Sequence, residues 1–379
     1  MFSSPLVRFV NAVSRQSSNV LPTSQYALSK MRCMSTTVDD KRPWRPPCHV
    51  EHPTIQSQAV PYSSPFSQPE YAAGLVPPPD MDAYDGPAGI PNQLDINAKM
   101  FSFVINHLTD FFRAYGFSHA HVQHLPSRVS ACEDPTTVGL YYAYDPNTGT
   151  YIPMPMKQTN QMDLEKLLLR QGIPKSYTLT TSYRFEPKAD FTRRWTQFPM
   201  FEFESVGNFN DLIVMLRKLI QSFGYSHDDI RMIAYRDACK LFDVLEIGDE
   251  EENNLAETLG CKVVLLYHFP TYTHTFWNMK TDLQTGFAHK VDVIWGGQET
   301  IGGAERETSP DIMWDRFNQV EDGKYRDNMY RLFTQRLVDG EVREDYLTWD
   351  FVPRYGAGMG VVRLLNALHK DGKLPSSAY

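Results

Sequence analysis

The chain has 379 residues, with 37 basic and 45 acidic side chains and a formal net charge of −8. Hydrophobic residues make up 42% and aromatics 13%, a globular composition, and no apolar run reaches the ~20 residues of a membrane span. The five cysteines are scattered without a C-x-x-C pair, which argues against a disulfide framework or a cysteine-based zinc site.

Residues 1–38 carry Arg8, Arg15, Lys30 and Arg32, many serines, and no Asp or Glu. A cationic, acid-free segment able to form a basic amphipathic helix has the composition of an organelle transit peptide. It predicts mitochondrial import, with Met31 or Met34 available to start a shorter cytoplasmic form. Beyond it, 33 basic residues face 45 acidic ones, and no basic stripe of the kind that grips a long nucleic acid follows.

Residues 39–94 are rich in proline and serine and predict a linker or extended arm. From Asp95 the pattern turns helical: Ile96, Met100, Phe103, Val104, Leu108 and Phe111 form an apolar stripe that Gly116 ends. A short strand to Pro126 follows. Asp163–Arg170 predicts a helix, then 176–186 and 196–205 two strands, and 210–224 and 228–245 two amphipathic helices. The run EIGDEEENN predicts a solvated acidic loop. Strands are predicted at 261–270, 276–280 and 289–295, a helical stretch near 311–337, and a glycine run leading into a closing helix. Strands joined mostly as neighbours predict an α+β domain over 95–379, with a largely antiparallel sheet flanked by helices.

Three stretches of this region carry residues suited to a nucleotide triphosphate. In SYRFE…RRWTQFPMFEFE, Arg184 and Glu186 lie two apart on a strand and share a face. A basic loop with Arg194 follows, then Phe198 opens the return strand. Guanidinium forks bind phosphate oxygens, and an aromatic ring offers adenine a face. Taken alone, a hairpin decorated with surface salt bridges reads equally well.

In VDVIWGGQETIGGAERE, Gly296-Gly297 suits a two-residue hairpin turn, which sets residue 294 opposite 299. Asp292 and Glu299 then lie diagonally on one sheet face, ~7–8 Å apart, a span that magnesium can bridge. Arg306 follows seven residues after Glu299; a salt bridge to Glu305 or Glu307 is the alternative use for it. In GAGMGVVR, the glycines bring Arg363 to the first turn of an apolar helix, where a guanidinium is costly to bury without an anionic partner.

In this order the three stretches resemble the signature motifs of class II aminoacyl-tRNA synthetases, in their aspartate/asparagine branch. The resemblance implies an antiparallel sheet flanked by helices, with ATP and Mg2+ as cofactors. It places Arg184 on the α-phosphate and Arg194 toward the γ-phosphate, Phe198 on adenine, and Glu186 orienting the nucleotide. Asp292 and Glu299 would hold the metal, Glu299 also touching ATP, and Arg306 would face the side-chain end of aspartate or asparagine. Arg363 would lie over adenine and reach the γ-phosphate. Upstream, Glu133 in SACEDP matches an acid that receives the substrate ammonium, and Gln161 a glutamine at the same end. The run Gln161–Glu165 is nearer the asparagine-type pattern than the aspartate-type one, which puts a lysine shortly after this glutamine.

The implied activity is ATP-dependent formation of an aminoacyl-adenylate, with Arg184 and Arg363 as the catalytic charges and transfer to tRNA. Transfer to ammonia, as in an asparagine synthetase, and an inactive nucleotide-binding paralogue are the alternatives. A long helix, strand and proline over 96–126 resemble the family's first motif and imply a homodimer. Departures are a longer loop between Glu186 and Arg194, Arg354-Tyr355 in place of a histidine before the glycine run, and Val362 in place of an acid before Arg363. The segment 39–94 is too short for the N-terminal β-barrel that full synthetases of this branch carry.

Overall fold

The structure is a computed structural model and describes residues 96–122, 134–184, 195–273 and 276–375. The presequence and arm expected over 1–94 lie outside these residues, as do Glu133, Glu186 and Arg194.

The first helix, α1 (Ala98–Ala114), starts where Asn97 accepts from the backbone N–H groups of Lys99 and Met100 at 3.0 and 3.2 Å. It ends at Gly116, whose φ of +80° suits a residue without a Cβ. Its stripe buries Val104, Leu108 and Phe112 completely. The strand expected next is only β1 (Ser118–His119). A tyrosine-rich hairpin, β2 (Leu140–Asp145) and β3 (Thr150–Pro155), then precedes α2 (Gln161–Gln171).

Strands β4 (Lys175–Tyr183) and β5 (Gln197–Val206) pair antiparallel, with Ser182 opposite Phe198. Helix α3 (Phe209–Ser222) follows, closed by a reciprocal cap between Asn208 and Asp211. The helix expected over 228–245 is instead a strand, β6 (Ile230–Ala234), and a short helix, α4 (Tyr235–Phe242). Here Ile230 and Ile233 suit the edge position beside β7 (Val263–Pro270), a tertiary pairing that overrides the helical period.

The expected acidic loop is helix α5 (Asp249–Thr258). Four acids occupy its first turn, where the helix dipole favours them, and Leu255 anchors it in the core. The strand expected at 276–280 is a turn, in which only Met279 bridges to Arg306.

Three more strands complete the sheet before α6: β8 (Thr281–Asp282), β9 (Phe287–Trp295) and β10 (Glu299–Glu305). The helical stretch is broken into α6 (Pro310–Gln319), α7 (Lys324–Phe333) and α8 (Gln335–Val338). The glycine run is itself a strand, β11 (Arg354–Gly360), which feeds α9 (Val361–Lys370).

The sheet runs β1-β4-β5-β11-β10-β9-β7-β6, with β8 on β9. Its β1–β4 and β6–β7 pairs are parallel and the others antiparallel. Strand alternation decides what each face does. On β5, Phe201 and Phe203 turn into a core shared with Phe112 of α1, Leu216 of α3 and Leu364 of α9. Each such buried side chain contributes about 1.5–3 kcal/mol. The intervening Glu202 and Glu204 turn the other way, onto the face that holds the cleft.

Candidate active site

Two joined hollows lie on this face, sharing Arg184, Met200, Glu299, Gly302 and Gly358. The first also takes in Phe198 and Arg363, the second Gln161, Lys290 and Arg306. Seven of the residues singled out in the sequence thus fall in one cleft or, for Asp292, on its floor, although each comes from a different element or loop.

At the first hollow, Arg184 follows β4 and its backbone N–H bonds the Thr196 carbonyl at 2.8 Å, which keeps the two strands paired to their tips. Its guanidinium carbon stands 5.8 Å from the Phe198 ring centroid, and its Nε has no partner among the described residues. Arg363, in the first turn of α9, donates from Nη1 to the Glu299 backbone carbonyl at 2.6 Å. That bond ties α9 to the acidic strand, and because the side chain is only half-buried the cost expected from apolar surroundings is not met in full.

The acid pair sits on the hairpin of β9 and β10. Gly296 and Gly297 have φ of +70° and +91°, which L-residues rarely adopt, and a Cβ on Gly296 would come within 2.9 Å of Ala367. Glu299 pairs with Ile294, the register that the Gly-Gly turn sets. A bulge after Glu299 then moves Asp292 opposite Gly302. Both carboxylates converge there: a Cβ on Gly302 would stand 2.5 Å from Glu299 Oε1 and 3.6 Å from Asp292 Oδ1. Glycine is what leaves the acids room.

Burial pushes the Asp292 carboxyl up, with Lys290 pulling it down and Glu299 pushing it further up. Lys290 Nζ donates to Asp292 Oδ2 at 2.7 Å, while Asp292 Oδ1, also buried, has no partner among the described residues. Burial opposes the charge on Lys290, but the surrounding acids, Asp292 foremost, hold its pKa above the usual lysine range. Two converging carboxylates with an orphaned buried oxygen fit a hard divalent cation. No third His, Cys, Asp or Glu completes a metal-ligand cluster among the described residues.

The second hollow is floored by a charged network. Arg306 pairs with neither Glu305 nor Glu307; it donates to Glu204 Oε1 from Nη2 at 2.6 Å and from Nε at 3.2 Å. Glu305 is held instead by Lys280 and His289, and Glu307 caps Thr308 and Ser309. Burial pushes the Glu204 carboxyl up, Arg306 pulling against it, and Glu204 Oε2 is left without a partner among the described residues. A Cβ on Gly356 would collide with this carboxylate, so the glycine run also makes space for Glu204.

Gln161 donates its amide to Glu165, itself fully buried and held by Arg354, Tyr346 and Asn278. Arg354, at the place of the missing histidine, also donates to the Glu307 carbonyl at 3.0 Å. Glu202 fixes the loop before α2, accepting from Thr159 Oγ1 at 2.6 Å and from the Asn160 backbone at 3.0 Å.

Sequence reasoning passed over Glu202, Glu204, Glu165 and Lys290. Three of them had a visible signal: Glu202 and Glu204 in the alternation F-E-F-E on one strand, and Lys290 two residues from Asp292 on the same strand face.

The family model for class II tRNA synthetases (D, K and N) matches residues 92–374. No curated protein matches the chain at a significant level. Among solved structures, the chain resembles the Pyrococcus horikoshii asparaginyl-tRNA synthetase complexed with asparaginyl-adenylate, at 21% identity and a TM-score of 0.55, over 74% of this chain and 66% of that one. It resembles the Entamoeba histolytica asparaginyl-tRNA synthetase in complex with asparaginyl-adenylate at 18% identity and a TM-score of 0.54, over 72% and 63%. A putative aspartyl-tRNA synthetase from Leishmania major Friedlin gives 14% identity and a TM-score of 0.54, over 71% and 61%. The chain therefore spans slightly less than two thirds of the length of these relatives. At such identities the likeness establishes the fold, a mixed sheet flanked by helices, while the family match covers most of the chain. The chain belongs to the class II tRNA synthetases of the aspartate, lysine and asparagine group, a family of ligases.

Proposed function

We propose that the cleft activates asparagine with ATP, forming asparaginyl-adenylate and pyrophosphate, and that the asparaginyl group is then passed to a tRNA hydroxyl with release of AMP. The observation that carries the choice of amino acid is the floor of the second hollow. There Arg306, paired with Glu204 Oε1, brings a fixed positive charge to the wall of the hollow, while Glu204 Oε2, buried and without a partner among the described residues, asks for a donor. A carboxamide answers both, its oxygen accepting from Arg306 and its NH2 donating to Glu204. A carboxylate would bring a second negative charge against Glu204, and Leu164 lines the hollow where the aspartate-type pattern has a lysine nearby. Sites built to pair both ends of a polar group reject its analogue strongly, because the site's own groups are then left unpaired.

The chemical step needs no side-chain nucleophile. The asparagine carboxylate oxygen attacks the α-phosphorus of ATP, and the bond to the bridging oxygen of pyrophosphate breaks. Arg184, with an uncommitted Nε, and Arg363 would balance the phosphate charge from two sides of the hollow, and the Phe198 ring offers adenine a stacking face. Rate then comes from alignment and from fixed charges that line the cleft. Asp292 and Glu299 would hold Mg2+, which when bound supplies charge neutralisation to the pyrophosphate leaving group.

ATP–pyrophosphate exchange with L-asparagine and with L-aspartate tests this reading, followed by charging of tRNA. Exchange with asparagine and acylated tRNA support it. Exchange with aspartate alone, and asparagine made when ammonia is added, would replace it by ammonia-dependent asparagine synthesis. Exchange with neither amino acid would leave a nucleotide-binding paralogue.

A further inference from the structure

The acid pair already has a cation. Lys290 lies two residues before Asp292 on β9, so both side chains rise from the same face, and its Nζ sits 2.7 Å from Asp292 Oδ2. The salt bridge is largely sheltered, with side-chain exposures of 19% for the lysine and 8% for the aspartate. Lys290 and Glu299 line the same hollow, and Glu252 of α5 approaches from the other side, accepting from the Glu299 backbone N–H at 3.2 Å. The ammonium thus bonds Asp292 and feels the charge of Glu299 and Glu252, while Asp292 Oδ1 stays without a partner among the described residues. The ammonium also rests 3.9 Å from the centroid of the Phe269 ring, whose face already shares in holding the cation.

We infer that Lys290 is a tethered counter-ion of the Asp292–Glu299 pair, neutralising it in the free protein and competing with a divalent ion for it. Two cations cannot share Asp292 at contact distance without strong repulsion. The free chain therefore holds a divalent ion weakly. Tight binding comes with the nucleotide, whose phosphates add ligands for the ion and negative charge that draws the ammonium off Asp292. Phe269, already in contact with the ammonium, keeps hold of it once Asp292 is given up. Lys290 is in this sense a positioning residue that makes metal capture depend on ATP, and the inference rests on the reading of Asp292 and Glu299 as metal ligands.

Binding of Mn2+ to the full chain without nucleotide, followed by the electron paramagnetic resonance of the free ion, separates the two claims. Lys290→Gln keeps a donor toward Asp292 and removes the charge, and is expected to bind Mn2+ at least about tenfold tighter than the unaltered chain. Lys290→Arg keeps the charge and is expected to stay as weak as the unaltered chain. Adding Asp292→Asn to Lys290→Gln should cancel the gain. Equal affinity for Lys290→Gln and the unaltered chain, or a gain shared by Lys290→Arg, overturns the role of Lys290 while leaving the metal site intact if Asp292→Asn still weakens binding. No effect of Asp292→Asn in either background overturns the metal site, and the inference with it. Should Lys290→Gln fail to fold, the Lys290→Met chain melted with and without Mn2+ gives the same reading: stabilisation by Mn2+ larger than in the unaltered chain supports the inference, and equal stabilisation overturns it.

Discussion

Two charged assemblies lie on the same face of the sheet, and they are finished to different degrees. Around Glu165, every charged or hydroxyl group of the glutamate, Arg354 and Tyr346 has a partner among the described residues, and the one open atom is the Oδ1 of Asn278 at its edge: Arg354 reaches Glu165 Oε2 at 2.7 and 2.9 Å, and Tyr346 donates to the same oxygen at 2.7 Å. Along the cleft, Arg184 Nε, Glu204 Oε2 and Asp292 Oδ1 have none among those residues. A closed network fastens elements together, here α2 to β11. An open one has a standing desolvation cost that a ligand can relieve. The distinction separates a structural hub from a binding site more cleanly than charge or burial does, since both assemblies are buried and charged.

The largest effect should come from breaking the closed assembly. Arg354→Met leaves Glu165 buried without its counter-charge and is expected to cost about 3–5 kcal/mol in chemical denaturation. A loss under about 1 kcal/mol would mean that the hub is not what holds α2 in place.

In the open assembly the order of effects reverses. Arg363→Ala should lower ATP–pyrophosphate exchange on the order of 10²–10³-fold, as for loss of one fixed charge on a developing anion, with little change in melting temperature. A stability loss as large as that of Arg354→Met would erase the contrast.

Glu204→Gln probes both properties at once. It should reduce exchange with asparagine by at least about tenfold, since a buried acceptor for the amide is lost. It should also change how stability depends on pH. Burial pushes the Glu204 carboxyl from an ordinary 4.5 to about 7, so between those values the folded chain binds more protons than the unfolded one. Glu204 therefore contributes a stability that falls as pH rises across that window and is level outside it. The melting temperature of Glu204→Gln relative to the unaltered chain should climb from pH 4.5 to 7; a flat difference would show that the carboxyl is not held up by burial.

The smallest effect belongs to the aromatic wall. Phe198→Leu keeps apolar surface but loses the ring face, worth about 0.5–1.5 kcal/mol, and should raise the KM for ATP a few-fold while leaving the asparagine KM unchanged. An unaltered ATP KM would remove Phe198 from the nucleotide site.

The sequence by itself determined whatever depends on near neighbours. The stripe from Ile96 to Phe111 makes α1, Gly116 stops it, and Gly296-Gly297 sets Glu299 opposite Ile294 because few other dipeptides tolerate that turn. The nearness of Asp292 to Glu299 was legible for the same reason, whereas Arg306 and Arg363 joined them only through the resemblance to the class II synthetase motifs. Tertiary structure alone decided the partners. Arg306 passes over its neighbours Glu305 and Glu307 and meets Glu204, 102 residues away, because β5, β11 and β10 lie side by side and the strand pleat turns the adjacent acids elsewhere. Glu165 and Arg354 meet across 189 residues in the same manner. The run that reads as an acidic loop became α5 because Leu255 finds a core to enter, and the segment that reads as helix became β6 because β7 offers it an edge. Periodicity reports what a segment can bury; only the assembled sheet determines what it is buried against.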